Sequence, residues 1–281
     1  MNDLIQQIGN SVIQHGKYND RIYLLKYDSA DIDTILSEFD RLIKQNDYSK
    51  IFIKVDENSE PTFLKEGFRR EALIPNFYEN SGCAFLGKFL TQKREDLSEE
   101  DRTTIDDILK TAESKAGRLI KPQLPQDYKV RILTAGDVED LAGLYRKVFD
   151  SYPFPIFDPK YLLETMESHV VYFGCFAEGK LIAASSSEMD KGTKSVEMTD
   201  FATLPEYRGQ NLSLILLAEM EPEMRRRQIK TFFTIARSMS YGMNITFSKS
   251  GYRYGGTLVN NTNISGRIES MNVWYKPAEA A

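Results

Sequence analysis

The sequence is poor in the groups that build disulfides, metal centres and membrane spans. Cys83 and Cys175 are the only cysteines in 281 residues, and each lies inside an apolar stretch. Two buried thiols are therefore expected rather than a disulfide, and a metal site would need more ligands than the chain supplies. His15 and His169 are the only histidines, which leaves a zinc site or a serine-type triad poorly provided, so no metal is expected. No apolar run approaches the ~18 residues of a membrane helix. The N-terminus MNDLIQQIGN lacks the basic start and apolar core of a signal peptide. A cytoplasmic location with no membrane partner is the resulting expectation. Basic residues do not dominate either: 36 Lys and Arg stand against 41 Asp and Glu, a net charge of -5. Nucleic-acid binders usually carry a basic face, so no nucleic-acid partner is expected. The run Arg225-Arg226-Arg227 is local and suits a helix C-terminus.

What is present describes a folded chain, with 41% hydrophobic and 27% charged residues. Its length exceeds one typical core of ~100–150 residues, so two domains are expected. RIYLLKY (21–27) and IFIKV (51–55) read as strands around a helix from Asp31 to about Gln45, whose apolar stripe is Ile32, Ile35, Leu36, Phe39, Leu42 and Ile43. A short helix, a turn at Gly67 and two more strands follow. A charged helix opens with Ser98 and Asp101, a capping-box pair, and Gly117 suits its C-cap. The loop KPQLP (121–125) then divides the chain into domains at 1–122 and 123–281.

In the second part YKVRIL (128–133) reads as a strand, and Thr134 with Asp137 caps the next helix. SYPFPIF (151–157) reads as an ordered aromatic loop, followed by a helix near 158–168. A hairpin turns at Gly179, and VEMTDFATL (196–204) is a strand that enters PEYRGQNLS. The helix after that motif should kink or end near 218–221, because Pro222 lacks a backbone N–H. A strand at 231–236 comes next.

The two parts share a pattern. FLKEGFRR (63–70) aligns without gaps on FSKSGYRY (247–254), and the same register pairs Asn76 with Asn260 and Gly82 with Gly266. Repetition at this scale implies two copies of one α/β unit. Only the second copy carries PEYRGQNLS. One working domain and one structural or lid domain are therefore expected.

The order strand, Gly-containing turn, helix aims several unpaired backbone N–H groups outward at the positive end of a helix dipole, which suits a pyrophosphate. Gly209 allows close approach and positive φ, and Arg208 can add charge. With the surrounding order of elements, this resembles the GNAT (GCN5-related N-acetyltransferase) family over about residues 128–276. The resemblance implies an α/β (α+β) fold with a mixed, mostly antiparallel sheet flanked by helices, and a degenerate GNAT-like unit before it. The family motif Arg/Gln-x-x-Gly-x-Gly/Ala matches Arg208-Gly209-Gln210-Asn211-Leu212-Ser213. It implies that the amides of Arg208, Gly209, Gln210, Asn211, Leu212 and Ser213 bind the pyrophosphate of acetyl-CoA. It also implies that the pantetheine arm pairs with the edge of Phe201, Ala202 and Thr203. The sequence departs from the family in carrying Asn211 for Gly, Ser213 for Gly/Ala, and Phe247 where many relatives have a thiolate-protonating Tyr.

Acetyl transfer to an alkyl amine of pKa ~10.4 requires a group that removes a proton. Glu197, six residues before Thr203, matches the general-base glutamate of the histone-acetyltransferase branch, and partial burial would raise its pKa. Asp200 falls on the opposite face by strand alternation and is second choice. A strand amide near Ala202 could hold an oxyanion. Tyr241 and Ser240 are available as the acid. Tyr152, Phe154 and Phe157 lie where the family places its acceptor pocket, and Arg237 could meet a substrate carboxylate. The runs VEMTDFATLPEYRGQNLS, ARSMSYGMN and SGRIESMNVWYK resemble the β-lysine N6-acetyltransferase subgroup. That resemblance implies a small-molecule amine acceptor, β-lysine, yielding a compatible solute, and a lysine 2,3-aminomutase as functional partner. Two other readings stay open: a tRNA-dependent aminoacyl transferase on tandem GNAT-like domains, and a catalytically weakened CoA-binding sensor.

Overall fold

The computed structural model describes residues 3–118 and 122–278. The first part runs β1 (Leu4–Ile8), β2 (Ser11–Gly16), β3 (Arg21–Lys26), α1 (Ile32–Asn46), β4 (Lys50–Asp56), α2 (Glu60–Lys65), β5 (Arg69–Ile74) and β6 (Cys83–Phe89). Two helices, α3 (Gln92–Glu95) and α4 (Glu99–Glu113), lead onward. The second part runs β7 (Tyr128–Ile132), α5 (Val138–Val148), α6 (Pro159–Ser168), β8 (Val170–Ala177), β9 (Lys180–Asp190), β10 (Ser195–Thr203), α7 (Leu212–Arg226), β11 (Thr231–Arg237), α8 (Tyr241–Lys249), β12 (Arg253–Ile264) and β13 (Arg267–Pro277). The α1 stripe buries Ile35, Phe39 and Leu42, as its spacing requires. The Thr134–Asp137 capping box is present, with Arg131 forked onto Asp137 at 2.6 and 2.8 Å.

All strands join one sheet in the order β1-β2-β3-β4-β6-β5-β12-β13-β11-β10-β9-β8-β7. Only β3/β4 and β10/β11 pair in parallel; the other neighbours are antiparallel. The two copies thus repeat one strand order, β3-β4-β6-β5 and β10-β11-β13-β12, and meet where Gly256 pairs with Ala72. The repeat holds in detail. Gly67 and Gly251 share φ +83, and Asn76 and Asn260 are both left-handed. Phe68 N–H donates to the Phe63 carbonyl at 3.2 Å, as Tyr252 does to Phe247 at 3.1 Å.

Each copy has its own core, around Ile35, Phe39 and Ile53 in one and Leu141, Leu216 and Trp274 in the other. A third core crosses the seam, packing Phe52, Ala72 and Phe85 against Phe233, Leu258 and Val273. The linker helix α4 sits on the second copy: Ala112 belongs to that core, and Ser248 Oγ donates to the Ala112 carbonyl at 2.6 Å. Both cysteines are free and buried, and burial pushes their thiols up to about 12 for Cys83 and about 11 for Cys175.

Two elements differ from the sequence reading. α7 does not stop at Pro222 but runs through it to Arg226. Buried Met220 and Met224 anchor it on both sides, and Glu221 pairs with Arg225 and Lys276 at 2.9 Å each. Those contacts outweigh the one helical bond the proline removes. The hairpin of β1 and β2 was not expected, although Ile8-Gly9-Asn10-Ser11 carries a two-residue turn signal and Gly9 is left-handed at φ +55. Among the described residues no helix is long and apolar enough to cross a membrane.

Candidate active site

The site begins where β10 and β11 part. Their pairing covers only Ser195–Glu197 against Thr231–Phe233, although β10 continues to Thr203 and β11 to Arg237. On its other side β10 stays bound to β9 through Ala202 and Thr203. Among the described residues, Phe201, Ala202 and Thr203 therefore have no strand partner on the β11 side, and an extended amide-bearing arm could add there as a strand does.

Pro205–Tyr207 make a single 3-10 turn that delivers Arg208, Gly209, Gln210 and Asn211 to the start of α7. Gly209 has φ +84, and a Cβ there would meet nothing within 4 Å. Asn211 is left-handed at φ 57 and ψ 26, a region Asn tolerates better than most side chains, so the loop keeps its course without the family's glycine. The first helical bond runs from Ile215 N–H to the Asn211 carbonyl at 3.1 Å. The amides of Leu212, Ser213 and Leu214 are left without an i−4 acceptor at the positive end of the dipole. Tyr128 fixes the turn from β7, donating to Gln210 Oε1 at 3.0 Å and packing edge-on against Tyr207. An open cradle of this kind fits the diphosphate of acetyl-CoA.

The splay opens into a cavity of about 950 Å³ lined by both copies. Glu197, the last β10 residue paired with β11, stands at its apex. Burial pushes the Glu197 carboxyl up to about 8; Glu188 and Asp200 add to this and Lys54 opposes it. Asp200 lines the same cavity, which corrects the alternation argument. A bulge between Thr199 and Ala202 breaks the two-residue period, with Asp200 left-handed at φ 55. Its carboxylate accepts from the Tyr152 hydroxyl and from Ser186 Oγ at 2.5 Å. Burial pushes Asp200 up, and these hydroxyls pull it back.

The remaining candidates divide. Tyr152, Phe154, Arg237 and Ser240 line the cavity, whereas Phe157 packs on the core beside it. Tyr241 is 48% exposed and lies outside the lining. Arg237 is already forked onto buried Glu269 at 2.8 and 2.9 Å. Phe247 is fully buried and packs edge-on against Phe201 with centroids 5.6 Å apart. Sequence reasoning missed the wall supplied by the first copy, where Arg21, Tyr23 and Lys54 line the cavity. The available signal was a basic residue set inside the apolar strands RIYLLKY and IFIKV.

Comparison with known proteins places the chain among acetyltransferases. Residues 138–241 match the Acetyltransferase (GNAT) family. The chain is 42% identical to the β-lysine N(6)-acetyltransferase of Methanococcus maripaludis, over 98% of this chain and 99% of that one. It is 34% identical to the N-acetyltransferase YodP of Bacillus subtilis over 95% of each chain. It is 31% identical to the β-lysine N(6)-acetyltransferase of Methanosarcina mazei, over 75% of this chain and 84% of that one.

Proposed function

The chain belongs to the GNAT family of N-acetyltransferases, and from that premise we propose that it moves an acetyl group from acetyl-CoA to the N6 amine of β-lysine. The observation that carries the reading is the splay of β10 from β11, which joins an amide-rich turn to a cavity with Glu197 at its apex. The choice of β-lysine rests on the 42% identity to an enzyme named for that acceptor. Residues 123–281 form the catalytic unit in this reading, and residues 1–122 supply the facing wall and the linker helix.

The amides of residues 208–213 hold the diphosphate, and the free edge of Phe201, Ala202 and Thr203 receives the pantetheine arm. Bound acetyl-CoA supplies an electrophilic thioester carbonyl. The carboxylates of Glu188 and Asp200 beside Glu197 draw in the acceptor's ammonium. Glu197 takes its proton: a carboxyl titrating at about 8 is ionised in roughly a tenth of molecules at pH 7, and it is better matched to an amine than an ordinary glutamate. Ser240, which lines the cavity, replaces exposed Tyr241 as the preferred donor to the leaving sulfur. A lysine 2,3-aminomutase would supply the acceptor, and the product would be a zwitterionic compatible solute.

The test is CoA release across β-lysine, lysine, spermidine and a lysine-containing peptide. β-Lysine is expected to give the highest kcat/KM, by about tenfold or more over lysine. Preference for spermidine or the peptide would reassign the acceptor. No release from any amine, despite acetyl-CoA binding, would favour a sensor.

A further inference from the structure

The cavity carries opposite charge on different walls. Glu188, Glu197 and Asp200 line one side, with Lys54 acting on Glu197, while Arg21 of β3 lines the cavity where it meets Asn261 and Thr262 of β12. Arg21 is 3% exposed and Asn261 1%. Arg21 Nη1 donates to the Asn261 carbonyl at 2.5 Å and to Thr262 Oγ1 at 3.0 Å. Arg21 Nε and Asn261 Oδ1 have no hydrogen-bond partner among the described residues.

More positive charge stands behind this wall. Buried Arg94 donates to Ser49 Oγ at 3.2 Å and to the carbonyls of Asn19 and Asn261 at 2.9 and 3.4 Å. Lys50, fully buried, donates to Glu71 and to the Val259 carbonyl, at 2.7 Å each. Among the described residues, these three buried cations have one directly bonded carboxylate, Glu71; Asp3 and Asp20 act on the guanidiniums only through space. Burial pushes Arg21 and Arg94 down to about 10 and Lys50 to about 8. A buried charge without compensation is costly, and Arg21 and Asn261, which both line the cavity, each keep one buried polar atom idle.

We propose that Arg21 and Asn261 form the head-group subsite of the acceptor, Arg21 binding a carboxylate and Asn261 Oδ1 accepting from an ammonium close to it. The subsite reads a zwitterion whose distal amine extends to the acidic wall. This deepens the acceptor reading given above and rests on it. It makes the seam between the copies, with Arg21 from one and Asn261 from the other, the part that recognises the head group.

The experiment compares β-lysine with pentane-1,4-diamine, which keeps both amines and lacks the carboxylate. Wild-type enzyme is expected to prefer β-lysine by about 100-fold or more in kcat/KM, the scale of a buried charge-assisted contact. Arg21→Met is expected to narrow that preference at least about tenfold. Equal use of the two amines by wild type, or an unchanged preference in Arg21→Met, overturns the proposal; the wild-type comparison stands even if the variant fails to fold. Should wild type acetylate neither, the acceptor reading fails on its own. Calorimetry with 6-aminohexanoate and pentylamine then decides the subsite: binding of the first alone supports it, and equal or absent binding ends it.

Discussion

A carboxyl held near 8 by burial and by two neighbouring acids changes charge close to neutral pH. With Glu197 as the base, kcat/KM should rise with pH through about 8 and level off above it. Glu197→Gln should lower the rate about 10²–10⁴-fold, flatten that rise and leave acetyl-CoA affinity intact. An unchanged pH–rate profile would reject the assignment. The same shift has a stability consequence of defined sign. Between the ordinary value of 4.5 and about 8 the native state binds more protons at this site than the unfolded chain does. Its contribution to stability is therefore lost as pH rises through that window. Glu197→Gln should gain thermal stability relative to wild type on going from pH 5 to pH 8.5, and a constant difference in Tm would count against it. Glu197 could be singled out because its distance from Thr203 matches a family feature, and it does line the cavity. Asp200 was misjudged because a bulge is not written in an alternation pattern. Arg21 was missed because its meaning depends on Asn261, far along the chain and across the seam.

At the scale of elements, the turn that opens α7 was the most legible feature, because strand, Gly209 and helix follow one another locally. Its single left-handed glycine offers a clean variant. A Cβ at Gly209 would touch no protein atom within 4 Å, so Gly209→Val disturbs the fold only through the backbone strain of φ +84, about 1–2 kcal/mol. It should nonetheless weaken acetyl-CoA binding about tenfold or more by filling the space a diphosphate would take. Calorimetry showing normal affinity would remove the cradle from the argument. α7 shows where local rules yield: proline predicts a kink or an end, and the helix does not end, because Met220 and Met224 are buried and Glu221 pairs with distant Lys276. The β1–β2 hairpin is the opposite case, with its Gly-Asn turn in plain view.

At the scale of the molecule, the repeat was readable from matched residues, whereas the way its copies join was not. They meet at Gly256 and Ala72, two positions with no local signature. A Cβ on Gly256 would lie 2.2 Å from the Glu71 carbonyl oxygen of β5, at φ +141. Gly256→Val should therefore prise the copies apart. The expected readout is a KM for the acceptor raised about tenfold or more, with acetyl-CoA affinity held within about threefold, since the cradle lies in the second copy alone. Parallel loss of both would show that the cradle depends on the seam. The join also divides labour across the gene. Changes within the first ninety residues can recast the wall of Arg21, Tyr23 and Lys54 while leaving the turn that opens α7 as it is, so one end of the cavity can be retuned independently of the other.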